Sequence, residues 1–314
     1  MRRIKLVVSY DGTAYCGWQL QPNGVTIEEV LNKALSSLLK EDIQVIGASR
    51  TDSGVHAMGN VAVFDTSFHQ TIPAESYIYP IPYKYYEDYK IRKYGFHGTS
   101  HEYVANRVAE IMNKDIKDLK IVNCHLGQGA SVCAIKNGVS VDTSMGFTPL
   151  GGIPMGTRSG DLDPSVVTYI AKYRNHTPEE MDEILNKKSG VYGISMVSVD
   201  FRDIEAEALA GGKHAKLALD AYHYSIAGYI AKCAVAMGGI DALTFTAGVG
   251  EKSPYSRSEI CKQLGIFGVE ISGKANLVKG EEAEISSPNS KVKVFVIPTN
   301  EELMIAQETA KLVK

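Results

Sequence analysis

The sequence predicts an α/β fold, with one α/β domain over residues 67–314 preceded by an incomplete α+β piece over residues 1–66. Three observations point there. Downstream, three strand-like runs joined by tight turns give way to alternating helical and strand patterns, the order that packs helices around one sheet. Upstream, a strand, a helix and one or two further strands make a sheet face with nothing of their own to cover it. Between the two the texture changes after Thr66, where a Tyr- and Pro-rich passage, YIYPIPYKYYEDYK, follows.

Each element rests on a local signal. RIKLVVSYDG is rich in strand formers, and TIEEVLNKALSSLL carries apolar residues at helical spacing behind a capping box of Thr26 and Glu29. IQVIGASRTDSGVHAMGNVAVFDT supplies one or two strands around a polar, glycine-bearing loop. The second half of KYGFHGTSHEYVANRVAEIM is an amphipathic helix. KIVNCHLGQGASVCAIKNGVSVDTSMGFTPL reads as three antiparallel strands, with Asn137-Gly138 as the hairpin turn. Helices follow at DPSVVTYIAKYR, at TPEEMDEILNKK with Thr177 as cap, Pro178 in the first position and Glu180 closing the box, and at KHAKLALDAYHYSIAGYIAKCAVAM. Strand ALTFTAG, helix SRSEICKQLG, strand KVKVFVIP and helix EELMIAQETAKLV complete the domain.

Composition narrows the function. With 314 residues, 44% hydrophobic and 22% charged, the chain has material for about two domains. No apolar run approaches a membrane span, and MRRIKLVVSYDG enters a strand pattern instead of a signal-peptide core, so a cytoplasmic protein with no membrane partner is expected. Five cysteines without C-x-x-C spacing indicate buried free thiols, with neither a disulfide framework nor a zinc site. A net charge of −3 gives no global field to recruit nucleic acid.

RTDSGVHA, residues 50–57, sets Arg50 and Asp52 in one short loop, where an Asx-type turn is the bland alternative. Together with YDGTAYCGWQLQP it resembles tRNA pseudouridine synthases that modify the anticodon stem and loop, from Met1 to about Thr66. The resemblance implies a ferredoxin-like piece, a tRNA partner, Asp52 as nucleophile and Arg50 holding a flipped-out uridine. Nothing after residue 66 resembles that family's second half, its stacking tyrosine or its basic cleft, so a competent synthase is not expected.

Downstream, the HLGQGAS and TAGVGEKS turns are places where backbone N–H groups can approach phosphate, although a tight turn needs the same glycines. PMGTRSGDLDP sets Arg158 in a glycine-flanked loop suited to an anion, against a surface salt bridge as the alternative. His97 lies in the YGFHGTSH loop, where a structural donor is the commoner role. In sequence order, VFDTSFHQT, KYGFHGTSH, HLGQGAS, VDTSMGFTPL, MGTRSGD, DFRDIE, FTAGVGE and PTNEE, over residues 63–302, resemble the acetate kinase family.

That resemblance implies one ribonuclease-H-like lobe of the acetate and sugar kinase, Hsp70 and actin superfamily, nearly all of the second kinase lobe with its C-terminal helix. It implies ATP and Mg²⁺ as cofactors, acetate or another short carboxylate as substrate, and a homodimer through this lobe. It makes Asp65 the catalytic carboxylate near acetate, with His97 and Arg158 stabilising the transferring phosphoryl group. His125, Leu126, Gly127, Gln128 and Gly129 line the phosphates; Asp200, Phe201, Arg202, Gly248, Val249, Gly250, Glu251 and Lys252 contact the adenosine; Glu301 helps hold Mg²⁺. Gln128 and Lys252 stand where the family commonly has asparagine. The family's N-x-G-S-S-S strand and its second arginine and histidine at the acetate pocket have no counterpart in this chain, so turnover near background is expected. VAVFDT fits both families, which makes Asp65 either a strand-end residue of the first or the carboxylate of the second, and a non-catalytic chimera the remaining alternative.

Overall fold

The computed structural model describes residues 6–10, 15–16, 18–20, 24–39, 57–62 and 65–304. Near the N-terminus β1 (Leu6–Tyr10) pairs antiparallel with β2 (Ala57–Ala62), and α1 (Ile27–Leu39) lies between them in sequence. The predicted cap is present, with Thr26 Oγ1 accepting from the Glu29 N–H at 3.3 Å. Trp18 is buried, 1% exposed, and its carbonyl accepts from the Glu28 N–H. Arg50 and Asp52 lie outside the described residues.

The rest is built on one mixed sheet. After short helices α2 (Ala74–Tyr77) and α3 (Lys84–Tyr89) and the longer α4 (Gly98–Met112) come β3 (Lys120–Leu126), β4 (Ala130–Lys136) and β5 (Val139–Thr143). Helices α5 (Pro164–Arg174), α6 (Pro178–Lys187), α7 (Gly190–Ser195), α8 (Phe201–Leu209) and α9 (Lys213–Met237) follow. β6 (Ala242–Thr246), α10 (Ala247–Lys252), α11 (Pro254–Lys262), β7 (Ala283–Glu284) and β8 (Lys293–Val296) close the sheet in the order β5-β4-β3-β6-β8-β7. β4 runs antiparallel to both β3 and β5, the antiparallel run the sequence predicts, whereas β6 runs parallel to β3 and β8 parallel to β6. Asn137 and Gly138 both take positive φ, the backbone that a tight hairpin needs. The Thr177–Glu180 capping box forms with Pro178 in the first turn, and the predicted long helix is α9.

Period-two alternation splits the sheet between two cores. Val122, Cys124, Leu126, Leu243, Phe245, Val294 and Val296 pack against Leu219, Tyr222, Ile226 and Ile230 of α9. On the other face Ile121, Ile135, Ala242 and Phe295 meet Val104, Ala105 and Val108 of α4. The α4 face does not stay apolar. Toward the carboxyl ends of β3 and β6 the residues facing α4 become Asn123, His125, Thr244 and Thr246, all buried polar groups. The carboxyl ends of adjacent parallel strands are where open α/β sheets place ligands.

Candidate active site

The first turn of α4 sits over that polar row. His97 adopts a left-handed backbone (φ 60°) as the residue before the helix, and Asp65 anchors it: Asp65 Oδ2 accepts from the His97 N–H at 2.5 Å and Oδ1 from the Thr99 N–H at 3.5 Å. The Asp65 carbonyl accepts from the Gly98 N–H at 2.9 Å, so close that a Cβ on Gly98 would stand 2.2 Å from that oxygen. A carboxylate capping a helix start is favourable in itself. Burial pushes the Asp65 carboxyl up, against these backbone donors and the neighbouring His69.

Spacing of three and four residues then brings Ser100 and His101 down onto the sheet. Ser100 Oγ lies 2.8 Å from His125 Nδ1 and 2.8 Å from Thr299 Oγ1. His101 Nε2 and His97 Nδ1 both reach Ser131 Oγ, at 2.8 and 2.9 Å. The His97 and His125 rings stack with centroids 4.0 Å apart. Both are neutral at pH 7. Burial, with His69 and the Arg158 guanidinium nearby, brings His97 down to about 4, and burial with His97 nearby holds His125 well below its ordinary value.

Arg158 arrives from the loop between β5 and α5. That loop is pinned by the Met155 N–H to the Arg158 carbonyl, by the Val191 N–H to the Met155 carbonyl and by the Ser159 N–H to the Leu185 carbonyl. The guanidinium is half-buried, with Nη1 3.4 Å from the Pro149 carbonyl and 3.7 Å from Met155 Sδ. Among the described residues no carboxylate pairs with it, so the surface salt bridge weighed from the sequence is not its role. Gly129 lies between the two functional groups: a Cβ there would stand 3.3 Å from Arg158 Nη1 and 3.4 Å from His97 Nε2. His97, Arg158 and the His125–Gly129 turn thus converge on one spot, whereas Leu126 itself is core.

The other residues that the resemblance implies are more mixed. Gln128 is exposed, and its Nε2 donates to the Val199 carbonyl at 3.1 Å, tying the turn to the segment before α8. Asp200 caps α8 through the Arg202 N–H and pairs with the Arg202 guanidinium, which holds its carboxyl down to about 2. Phe201 is buried with its ring 5.0 Å from that of Tyr222, so its side chain belongs to the core. Space beside Gly248 is open, while Val249 is buried. Glu251 turns inward: Oε1 accepts from the N–H of Ala247 at 2.8 Å, where φ is +64°, and from the N–H of Thr299 at 3.3 Å. The carbonyls of Gly250 and Glu251 accept from Arg257, a fully buried arginine that also donates to Asn276 and Val278. Lys252 ends α10.

Glu301 starts the helical turn at 301–304. Loss of solvent and the charge of Asp65 push its carboxyl up. A carboxylate raised by the charge of a second one nearby fits a Mg²⁺ ion, which takes one or two carboxylates and fills its octahedron with water and phosphate oxygens. Among the described residues no group of three or more His, Cys, Asp or Glu side chains is placed to hold a metal by protein ligands alone. All five cysteines are free, and no described helix is long and apolar enough to cross a membrane.

Sequence reasoning missed Ser100, His101, Asn123, Ser131, Thr244 and Arg257. The signal for three of them was in the alternation: Asn123 and Thr244 interrupt apolar strands, and Ser131 pairs with His125 across β3 and β4.

The fold and this constellation define an α/β protein with glycine turns, an unpaired arginine and neutral histidines gathered at the carboxyl ends of parallel strands, a site suited to anionic ligands. The model of the Acetokinase family matches residues 26–307. An acetate kinase of Dictyoglomus turgidum is 58% identical over 253 residues, covering 81% of this chain and 62% of the relative. One from Thermotoga maritima is 52% identical over 298 residues, covering 92% of this chain and 74% of the relative. The crystal structure of Porphyromonas gingivalis acetate kinase superposes with a TM-score of 0.80 at 38% identity, covering 97% of this chain and 76% of that one. A propionate kinase from Francisella tularensis gives 0.75 at 43% identity, covering 79% and 63%. The chain belongs to the acetokinase family. It spans 62% of the length of the Dictyoglomus relative and about three quarters of the Thermotoga one. The family match starts at residue 26, well upstream of the boundary at 66 that the sequence reading set between two families. None of these relatives or structures is a pseudouridine synthase.

Proposed function

We propose that this chain transfers a phosphoryl group between ATP and acetate. The observation that carries the reading is the convergence of Arg158 and His97 on Gly129, with the guanidinium free of any carboxylate partner among the described residues. An acetate oxygen attacks the γ-phosphorus, the bond to the bridging oxygen of ADP breaks, and the electron pair leaves on ADP; no proton need move. Such a step asks the protein mainly for positioning and for donors around the equatorial oxygens. The Arg158 fork supplies the fixed positive charge, and His97, neutral beside it, supplies a donor without adding a second charge to the same spot.

The His125–Gly129 turn carries the phosphates, the Gly248–Lys252 turn and the Asp200–Arg202 segment face the nucleoside, Asp65 is the carboxylate near the acetate, and Glu301, with Asp65 nearby, would help hold Mg²⁺. When bound, Mg²⁺ neutralises charge on the phosphate oxygens. With Phe201 and Glu251 turned inward, their contribution is to set the backbone there. Trapping acetyl phosphate with hydroxylamine tests the proposal: hydroxamate that requires both ATP and acetate supports it, and none at high protein concentration rejects it. Propionate in place of acetate reads the acceptor preference in the same assay.

A further inference from the structure

We propose that Thr244, Asn123, His101 and Ser131 form a one-way hydrogen-bond relay that fixes His97 in the tautomer with its proton on Nε2. The relay is a product of sheet register. Asn123 and Thr244 are paired positions on parallel β3 and β6, His125 and Ser131 are paired positions on antiparallel β3 and β4, and all face α4. The helix sets His97 and His101, one turn apart, over this row.

Direction begins at Thr244. Its Oγ1 lies 2.6 Å from the Asn123 side chain, a separation that suits O–H···O and is below the range for N–H···O. The nearer Asn123 atom is therefore Oδ1, accepting from the threonine. The amide nitrogen is left facing His101 Nδ1 at 2.9 Å and can only donate to it. His101 then carries its proton on Nε2 and donates it to Ser131 Oγ at 2.8 Å. A serine hydroxyl has one proton, which Ser131 gives to His97 Nδ1 at 2.9 Å. His97 is left with its proton on Nε2, the atom 3.4 Å from the Cβ position of Gly129 and next to Arg158 Nη1.

Every buried group along the path is then satisfied once, as an interior of low dielectric demands. Reversing the amide reverses the whole chain. His97 would then present a bare lone pair on Nε2, and the Thr244 hydroxyl would have to turn to the Val122 carbonyl at 3.4 Å, beyond normal hydrogen-bond length. Burial keeps both His97 and His101 neutral, so tautomer and not charge is the variable the relay sets. The catalytic consequence rests on the phosphoryl-transfer reading: an Nε2–H beside the Arg158 fork is a second donor to the same anionic oxygen, and a bare Nε2 would repel it. His97 is the group that touches the reacting atoms, and the four relay residues position it.

The test is separable from turnover. Two-bond ¹H–¹⁵N correlation on the full chain with ¹⁵N-labelled histidine, at pH 7 without substrates, reads protonation of each ring nitrogen. The relay predicts Nε2–H alone for both His97 and His101. A His97 signal showing Nδ1–H, or a mixture, overturns it. Ser131→Ala is predicted to let His97 populate both tautomers and to lower kcat about tenfold, with KM for ATP and acetate within twofold of the parent. A His97 ring that stays wholly Nε2–H in that variant overturns the relay as the cause. Should Ser131→Ala not fold, Thr244→Val removes the hydroxyl that orients the amide, and the same mixing is predicted. A parent chain with the predicted tautomers but no kinase turnover would reject the proposed function and leave the relay standing.

Discussion

Gly190 is where the fold holds Arg158, and its replacement by alanine gives a quantitative check. Its φ is +62°, a conformation that costs an L-residue roughly 1 kcal/mol. A Cβ there would lie 2.2 Å from the Met155 carbonyl oxygen, 2.6 Å from the Arg158 carbonyl oxygen and 3.0 Å from the Arg158 nitrogen. These are backbone atoms of the loop and cannot swing aside like the end of a side chain. To make room, the Val191–Met155 and Met155–Arg158 hydrogen bonds must lengthen, at roughly 1 kcal/mol each. Gly190→Ala is therefore expected to lose about 3 kcal/mol. Gly211 is the control: φ is +98° and nothing stands within 4 Å of its Cβ position, so Gly211→Ala should lose only the conformational part, about 1 kcal/mol. Urea unfolding of both variants beside the parent gives the two values. Equal midpoints for Gly190→Ala and Gly211→Ala would refute the idea that α7 pins the Arg158 loop by close packing.

Further expectations follow from the same geometry. His97 and His223, each held at about 4 by burial, and the neutral His69, His101 and His125 bind fewer protons folded than unfolded, so stability rises with pH between about 4 and 6.5. His97 alone is worth on the order of 3 kcal/mol across that window. Urea midpoints should fall steeply as pH drops below 6.5, and a flat profile would contradict the assignment of neutral, buried rings. Arg257→Leu strips five hydrogen bonds from buried acceptors and should cost roughly 3–5 kcal/mol, with weaker binding of a fluorescent ATP analogue; full stability in that variant would remove Arg257 from the account. Trp18, the single tryptophan, should emit at short wavelength in the native chain and shift red in urea, whereas native emission like free indole would contradict its burial.

Much of the fold was legible because the signals were local. The Asn137-Gly138 turn, the Thr177 cap and the pattern of α9 need only neighbours in sequence, and each appears where expected. The short helices α2, α3 and α7 lack such signals, since a helix of one or two turns is fixed by packing more than by propensity. α8 begins at the Asp200 cap inside DFRDIE, a stretch read only for its chemistry. The site was legible as motifs, so the convergence of His97, Arg158 and Gly129 was implied by resemblance. Which side chain faces which neighbour was not. Phe201 in the core, Glu251 turned onto Ala247, and the polar row under α4 depend on register between strands far apart in the chain. Arg257 was invisible because its partners, in α10 and in residues 276–278, lie up to 21 residues away in the chain.

The central claim is that Arg158 and His97 together stabilise a phosphoryl group passing between ATP and acetate. The most direct measurement is ³¹P NMR of the chain incubated with ATP, Mg²⁺ and acetate, compared with Arg158→Ala of matched stability. The account predicts an acetyl phosphate resonance growing with that of ADP and falling in the variant by about 10²–10³, the usual effect of removing one charge-stabilising donor. Inorganic phosphate with no acetyl phosphate, or equal product from Arg158→Ala, would contradict it.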